Sequence, residues 1–318
     1  MGAPPLKINR RNFLSCSAAA GIAWSQGGEP AVAAGLSDGL SERPVTLGVV
    51  GCGGRGTTLI RGLLTNPMAR IAAVADLDPR HRRRAAGIVA RAQGAGVSEP
   101  AALESIDDLL QRPEIEAVVV AVPCDLHAAF NARVLDAGKH LYAEKPLALT
   151  LVECDQLIEQ AARRPELVVR VGFQRRSNPR FREAVALARS GELGRLLEGR
   201  ASWNSSNGPV SGSAGWMGRR QRSGDWMVEQ AVHVWDVYQW IQGAPPARAY
   251  GLGHRGVFEE SPGSGDRDVT DLYVVILEWA DGFHLVFTQS WVDPAEESFT
   301  GVKQKLIGTR GGLDLGTG

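Results

Sequence analysis

Between residues 45 and 171 the apolar positions fall into short continuous runs, separated by stretches with helical periodicity. The runs at 45–50, 70–75, 117–122, 141–143 and 167–171 predict strands. Stretches 57–64, 79–92, 125–135 and 151–163 predict helices, with Asp125 as a candidate cap for the third and a capped turn at 105–110. The β-branched run from Ala117 to Val122 suits a strand buried on both faces. Strand and helix in alternation predict right-handed crossovers and a doubly wound parallel sheet, an α/β arrangement.

The pattern changes after Asn178. One helix, at 179–190, leads into longer alternating strands at 196–203, 247–253, 271–279, 283–291 and 301–307. Ala280-Asp281-Gly282 between two of these is a hairpin signal. A single helix at 226–241 interrupts the strands. This half predicts an α+β domain with a mostly antiparallel sheet.

Composition narrows the function classes. The chain of 318 residues carries 35 basic and 35 acidic side chains. No basic stripe argues for a nucleic-acid partner. Residues 1–33 read as a twin-arginine export signal: Asn9-Arg10-Arg11-Asn12-Phe13-Leu14, a weakly apolar stretch, then Ala31-Val32-Ala33 as a cleavage site. Its removal leaves the charge near neutral and predicts a periplasmic or otherwise exported protein with no membrane anchor. Cys52, Cys124 and Cys154 show no metal spacing, and no metal site is expected. Export would permit a Cys52–Cys124 bond, but small buried thiols are the preferred reading.

Candidate chemistry begins at Gly51-Cys52-Gly53-Gly54-Arg55-Gly56, a G-x-G-x-x-G loop directly after a strand and opening a helix. Gly51 permits a tight turn, Gly53 lets backbone approach a pyrophosphate, and Gly56 allows close helix–strand packing. The helix N-terminus then faces the anion. Asp76 ends the second strand, where a carboxylate reads the adenosine ribose. It favours NAD over NADP by repelling a 2′-phosphate, although Arg80, Arg82, Arg83 and Arg84 on the next helix keep NADP as the alternative. These features predict a Rossmann domain. The expected organisation is a signal at 1–33, a linker at 34–43, the dinucleotide domain at 44–174 and a substrate and oligomerisation domain at 175–318.

Lys145, in Glu144-Lys145-Pro146, falls at the carboxyl end of a predicted strand, where open α/β sheets place their chemistry. Downstream, Glu229 and His233 are spaced to share one face of a helix. Oxidation of a secondary alcohol needs a base for the hydroxyl proton, and histidine titrates near neutrality.

Taken together, these segments resemble the Gfo/Idh/MocA family of NAD(P)-dependent sugar oxidoreductases. The likeness runs from about residue 44 to 311 through the glycine loop, Ala121 to His127, Glu144-Lys145-Pro146, Gly172 to Arg176 and Glu229 to Asp236. The resemblance implies Lys145 beside the nicotinamide and His233 as the proton-transfer residue, with Glu229 where the family commonly has aspartate. It implies cofactor contacts at Gly51, Gly53, Gly54, Arg55, Gly56, Asp76, Pro123, His127, Glu144 and Lys145. For His127 a structural role stands as an equal alternative. Arg175, Arg176, Trp203 and Asp236 are substrate candidates, with Trp216, Trp226 and Trp291 as further stacking candidates. The expected partner is a small sugar, and the second sheet's open face is expected to form a homo-oligomer. Expected functions are an exported oxidoreductase with a tightly held NAD, or a redox-neutral glycosidase on the same scaffold. A third reading is a non-catalytic or C-terminally shortened homologue, because the resemblance leads one to expect a helical segment beyond Gly312.

Overall fold

The computed structural model describes residues 43–94, 98–206, 215–257 and 267–316. The expected export signal lies outside the described residues. Two compact units emerge: one holds the described residues up to Gly172 together with Gln221–Gly224, and the other holds Phe173–Arg220 and the described residues from Asp225 onward.

The first unit is a parallel sheet with strand order β3-β2-β1-β4-β5-β6. The strands are β1 (Val45–Val50), β2 (Ala69–Ala75), β3 (Ala101–Leu103), β4 (Ala117–Val120), β5 (His140–Ala143) and β6 (Val169–Val171). Its helices are α1 (Gly54–Leu63), α2 (Pro79–Gln93), α3 (Ile106–Leu110), α4 (His127–Asp136) and α5 (Leu151–Ala162). Val49, Val74 and Val119 turn to one face, against Ile60 of α1 and Ala85 and Val89 of α2. Val50, Val118 and Val120 turn to the other, against Leu109, Val134, Leu135 and Leu157. Burial on both faces explains the continuous apolar runs, each such side chain contributing about 1.5–3 kcal/mol. The order reverses between β1 and β4, which opens the crevice at the carboxyl edge used by ligands of such sheets.

Local caps fix several helix starts. Asp78 accepts from the Arg80 N–H, with Pro79 as first helical residue of α2. Thr150 and Glu153 form a reciprocal capping box on α5. The expected Asp125 cap is corrected. Cys124–Leu126 is a 3-10 turn that enters α4 without a side-chain cap, and Asp125 pairs with Arg222 at 3.1 Å instead. Strand β3 was not foreseen, since three residues carry too little pattern.

The second unit holds β7 (Leu196–Asn204), β8 (Arg248–His254), β9 (Leu272–Glu278), β10 (His284–Ser290), β11 (Gly301–Gly308) and β12 (Gly312–Asp314), in order β12-β11-β7-β10-β9-β8. All neighbours pair antiparallel except β7 with β10. The hairpin between β9 and β10 forms as expected, with Gly282 at φ 86°. Its helices are α6 (Pro179–Arg189), α8 (Trp226–Glu229) and α9 (Val232–Gln242), while the last three residues of α7 (Arg220–Ser223) belong to the first unit. Phe181, Val185, Val234, Val237 and Ile241 from α6 and α9 bury one face of the sheet with Leu285 and Phe287. On the other face Tyr250, Leu252, Val274 and Ile276 are exposed.

The expected single helix at 226–241 is two helices. At the break, Ala231 N–H donates five residues back to the Trp226 carbonyl, whereas His233 and Val234 N–H donate three back, to Gln230 and Ala231. The Gln230 side chain accepts from Gln289 Nε2 of β10 at 2.7 Å, an attachment that accompanies the break. The four-residue spacing of Glu229 and His233 therefore does not represent one turn of a continuous helix.

Candidate active site

The glycine loop has the shape that a pyrophosphate requires. Gly51 has φ 84°, and a Cβ there would lie 2.4 Å from the Ala121 carbonyl oxygen. A Cβ on Gly56 would lie 1.8 Å from the Gly51 oxygen, so both positions exclude a side chain. At Gly53 and Gly54 a Cβ would meet nothing within 4 Å. The loop is thus closed on its protein side and open on the other. Gly53 precedes α1 without a side-chain cap, leaving the first-turn N–H groups for an anion.

Asp76 stands beside this cradle. Its Oδ2 accepts from Cys52 N–H at 2.6 Å and its Oδ1 from Asp78 N–H at 2.8 Å. Three of the four arginines that left NADP open are engaged nearby. Arg80 pairs with Asp78, Arg82 donates to the Asp76 carbonyl, and Arg84 donates to the Cys52 carbonyl and to Thr57 Oγ1. The residues present fit a dinucleotide with a free 2′-hydroxyl. Cys52 is buried with a free thiol that burial pushes up to about 12, as befits a packing residue. Cys124 is buried too and is not part of a disulfide.

Lys145 follows β5 at the carboxyl edge of the same sheet, and its peptide bond to Pro146 is cis. Glu144 is buried and binds Arg55 through Oε1, at 2.8 Å to Nε and 2.6 Å to Nη2. Its Oε2 accepts from Lys145 N–H at 3.3 Å. Glu144 thus holds the lysine loop to the start of α1. Gly172 leaves room for this carboxylate, since a Cβ there would stand 3.0 Å from Oε1. Pro123 opens the turn before α4, and His127 at the start of α4 is 1% exposed, turning both ring nitrogens to backbone carbonyls. The ring is a buried tie at this position.

The second unit carries the other candidates. Glu229 ends α8 and His233 lies in α9, both buried. The Trp203 ring of β7 stacks on the His233 ring, centroids 6.2 Å apart. Arg175 is 7% exposed, donates to the His233 carbonyl at 3.1 Å, and lies over the rings of Phe181 and Trp203. Desolvation brings its pKa down to about 10, so it stays cationic at neutral pH. Arg175 supports the histidine helix from beneath. Arg176 makes a paired contact with Asp236, Nε to the two carboxylate oxygens at 2.9 and 3.0 Å, and covers Trp240. Trp226 and Trp291 pack on one another in a buried cluster, which makes them core.

Two family models match this architecture. Residues 45–173 match the oxidoreductase family with an NAD-binding Rossmann fold, and residues 181–314 match the Gfo/Idh/MocA C-terminal domain. The chain belongs to the Gfo/Idh/MocA family. It is 42% identical over 155 residues to inositol 2-dehydrogenase 2 of Saccharopolyspora erythraea, covering 48% of this chain and 43% of that protein. To inositol 2-dehydrogenase of Burkholderia cenocepacia it is 28% identical over 243 residues, covering 75% of this chain and 65% of that one. It therefore spans less than two thirds of the length of these relatives. Among solved structures it is similar to GenD2 from gentamicin A biosynthesis, in complex with NAD, with 26% identity and a TM-score of 0.72 over 86% of this chain and 72% of that one. A scyllo-inositol dehydrogenase from Lactobacillus casei, with bound NAD(H) and scyllo-inositol, shares the fold at 22% identity and TM-score 0.72 over 86% and 76% of the respective chains.

Within this Gfo/Idh/MocA chain two polar residues escaped the sequence reading. Asn131, 0% exposed, donates from Nδ2 to the Leu147 carbonyl. Its signal was a polar residue four positions after His127, on the face of α4 that packs against the sheet. Asp225 is buried with φ 66°, caps α8 by accepting from Trp226 N–H, and pairs with Arg220 at 3.2 Å. Its signal was an aspartate directly after Gly224, in a turn.

Proposed function

We propose that this chain is a NAD-dependent dehydrogenase of a secondary hydroxyl on a cyclic polyol or sugar. The observation that carries the reading is the placement of the open glycine cradle, Asp76 and Lys145 along the carboxyl edge of one parallel sheet. The names of the inositol dehydrogenase relatives support the substrate class.

When bound, NAD supplies the hydride acceptor. Gly53, Gly54 and the first turn of α1 would hold its pyrophosphate, and Asp76 its adenosine ribose. Lys145 would hydrogen-bond the reacting hydroxyl oxygen, His233 would take the hydroxyl proton, and Glu229 is the carboxylate proposed to orient that histidine. The balance would close with the hydroxyl proton on His233 and the hydride on the dinucleotide when bound, leaving a ketone. Trp203, Arg176 and Asp236 contribute to substrate selection.

The test is incubation of purified protein with NAD and a panel of inositols and pyranosides, following absorbance of the reduced nicotinamide. Turnover lost in Lys145→Ala and in His233→Ala, with NAD binding retained, supports the roles. No reduction with any member of the panel would overturn the reading.

Export belongs to this proposal, supported by the Asn9-Arg10-Arg11-Asn12-Phe13-Leu14 run. A reporter fused to residues 1–43 should reach the periplasm in bacteria with a working twin-arginine system and fail to do so in cells lacking it. A homo-oligomer is supported by the exposed Tyr250, Leu252, Val274 and Ile276 on one sheet face. Its test is the solution mass.

A further inference from the structure

Helix α4 presents two buried polar side chains, four residues apart, to the segment that follows Lys145. His127 is 1% exposed and Asn131 0%. His127 Nδ1 is bonded to the Pro146 carbonyl, and Nε2 lies 2.9 Å from the Val122 carbonyl. Asn131 Nδ2 donates to the Leu147 carbonyl at 3.1 Å. The first two carbonyls after the lysine are therefore held by one helix, and the same imidazole is tied back to the exit of β4.

We infer that His127 and Asn131 form a clamp that fixes the position of Lys145, and that both are positioning residues for the dehydrogenase reaction. This inference rests on the function proposed above. Loop carbonyls in a buried setting need donors, and without them the loop would choose other partners and carry Lys145 with it. A displacement of about 1 Å of such a group can cost on the order of a hundredfold in rate. The ring also has a chemical peculiarity. A neutral imidazole has one N–H, yet both nitrogens face carbonyl oxygens, so only the protonated ring donates to both. Burial opposes that form and lowers the pKa. The two carbonyls and Glu144 act in the opposite direction, and Lys145 adds to the lowering. Among the charged groups acting on it, Glu144 and Lys145 thus bear on the ring with opposite sign.

The experiment compares wild type with His127→Gln, His127→Ala, Asn131→Ala and Asn131→Asp. The first readout needs no turnover: the rate at which each lysine is acylated by a limiting amine reagent, resolved by peptide mass spectrometry. Lys145 labelling should change several-fold in His127→Ala and Asn131→Ala, with Lys303 and Lys305 unchanged as internal references. The second readout is kinetic. kcat should fall at least tenfold in His127→Ala with NAD affinity kept, and the pH profile of kcat should shift. His127→Gln, which retains one donor, should recover part of the loss.

Unchanged Lys145 labelling in folded His127→Ala and Asn131→Ala overturns the clamp. Loss of NAD affinity in step with activity also overturns it, since His127 would then be a cofactor contact. If wild type reduces no NAD yet Lys145 labelling responds as expected, the dehydrogenase reading fails and the clamp stands.

Discussion

Arg55 Nη2 lies 2.6 Å from Glu144 Oε1, joining the first turn of α1 to the residue before Lys145. The pair couples the anion end of the nucleotide loop to the lysine loop. Its carboxylate is 5% exposed and its guanidinium 41%. Arg55→Ala leaves a buried carboxylate uncompensated. The fully buried case costs about 3–5 kcal/mol, and solvent access to Arg55 reduces the expectation to about 1–3 kcal/mol. Thermal melts should show that loss, and Glu144→Gln, which keeps the shape without the charge, should be milder.

Gly56→Ala should abolish NAD binding. Its Cβ would stand 1.8 Å from the Gly51 carbonyl oxygen, and relief can come only by moving backbone. The cost in stability is about 1–3 kcal/mol. Gly62→Ala is the internal comparison, because a Cβ there meets nothing within 4 Å in the same helix. It should stabilise by about 0.5–1 kcal/mol. Calorimetric NAD titration and thermal melts of both variants separate loop shape from helix propensity.

The first unit was legible because its chemistry and its hydrophobic pattern point the same way. Continuous β-branched runs such as Val118-Val119-Val120 suit strands buried on both faces, and the glycines fall where the turn needs them. The second unit yielded five of its six strands, the three-residue β12 carrying too little pattern, but not its helix break, where Gln230 turns to Gln289 across 59 residues of sequence. The sequence offers Arg175 as a substrate candidate, and no local window shows that it is buried. Only the fold brings Phe181, Trp203 and the His233 carbonyl around it. Buried polar contacts of this kind depend on tertiary neighbours, which periodicity does not encode.

Asp76 should control the choice between dinucleotides. It is a carboxylate beside the loop, and Arg80, Arg82 and Arg84, which could serve a 2′-phosphate, are held by Asp78, Asp76 and Cys52. Asp76→Ala removes a hydrogen-bond acceptor for the ribose and the repulsion toward a phosphate. NAD affinity should drop about tenfold or more, as expected when about 1.5 kcal/mol of charged hydrogen bonding is lost. NADP affinity should hold or rise. Parallel titrations with both cofactors decide the matter, and an equal drop for both would assign Asp76 to loop structure alone.

Tyr238 should be a stability residue with no role in cofactor binding. Its hydroxyl donates to the Lys305 carbonyl at 2.8 Å, fastening α9 to β11. Its ring occupies the space where a Cβ on Gly199 would lie, 2.5 Å away. Tyr238→Phe should cost about 1 kcal/mol for the buried hydrogen bond. Gly199→Ala should cost about 1–3 kcal/mol by forcing the ring aside. Because ring and glycine share one contact, Tyr238→Leu combined with Gly199→Ala should be less costly than the two changes added. Denaturant melts of the four variants would measure that coupling.

Acid should loosen the first unit at Glu116. Its carboxylate accepts two bonds from Arg43 and one from Thr46 N–H, and these hold its pKa near about 2, against an ordinary value of 4.5. A carboxyl lowered by folding stabilises the native state above its unfolded pKa and loses that contribution as pH falls through the folded one. The window therefore runs from about pH 4.5 down to about pH 2. Glu116 is partly solvent-accessible and Arg43 largely so, so the effect is modest and salt-sensitive. Glu116→Gln should flatten the acid limb of the melting temperature in that window while leaving neutral-pH stability within about 1 kcal/mol of wild type. An acid limb of unchanged slope in Glu116→Gln would assign the acid sensitivity to other carboxylates.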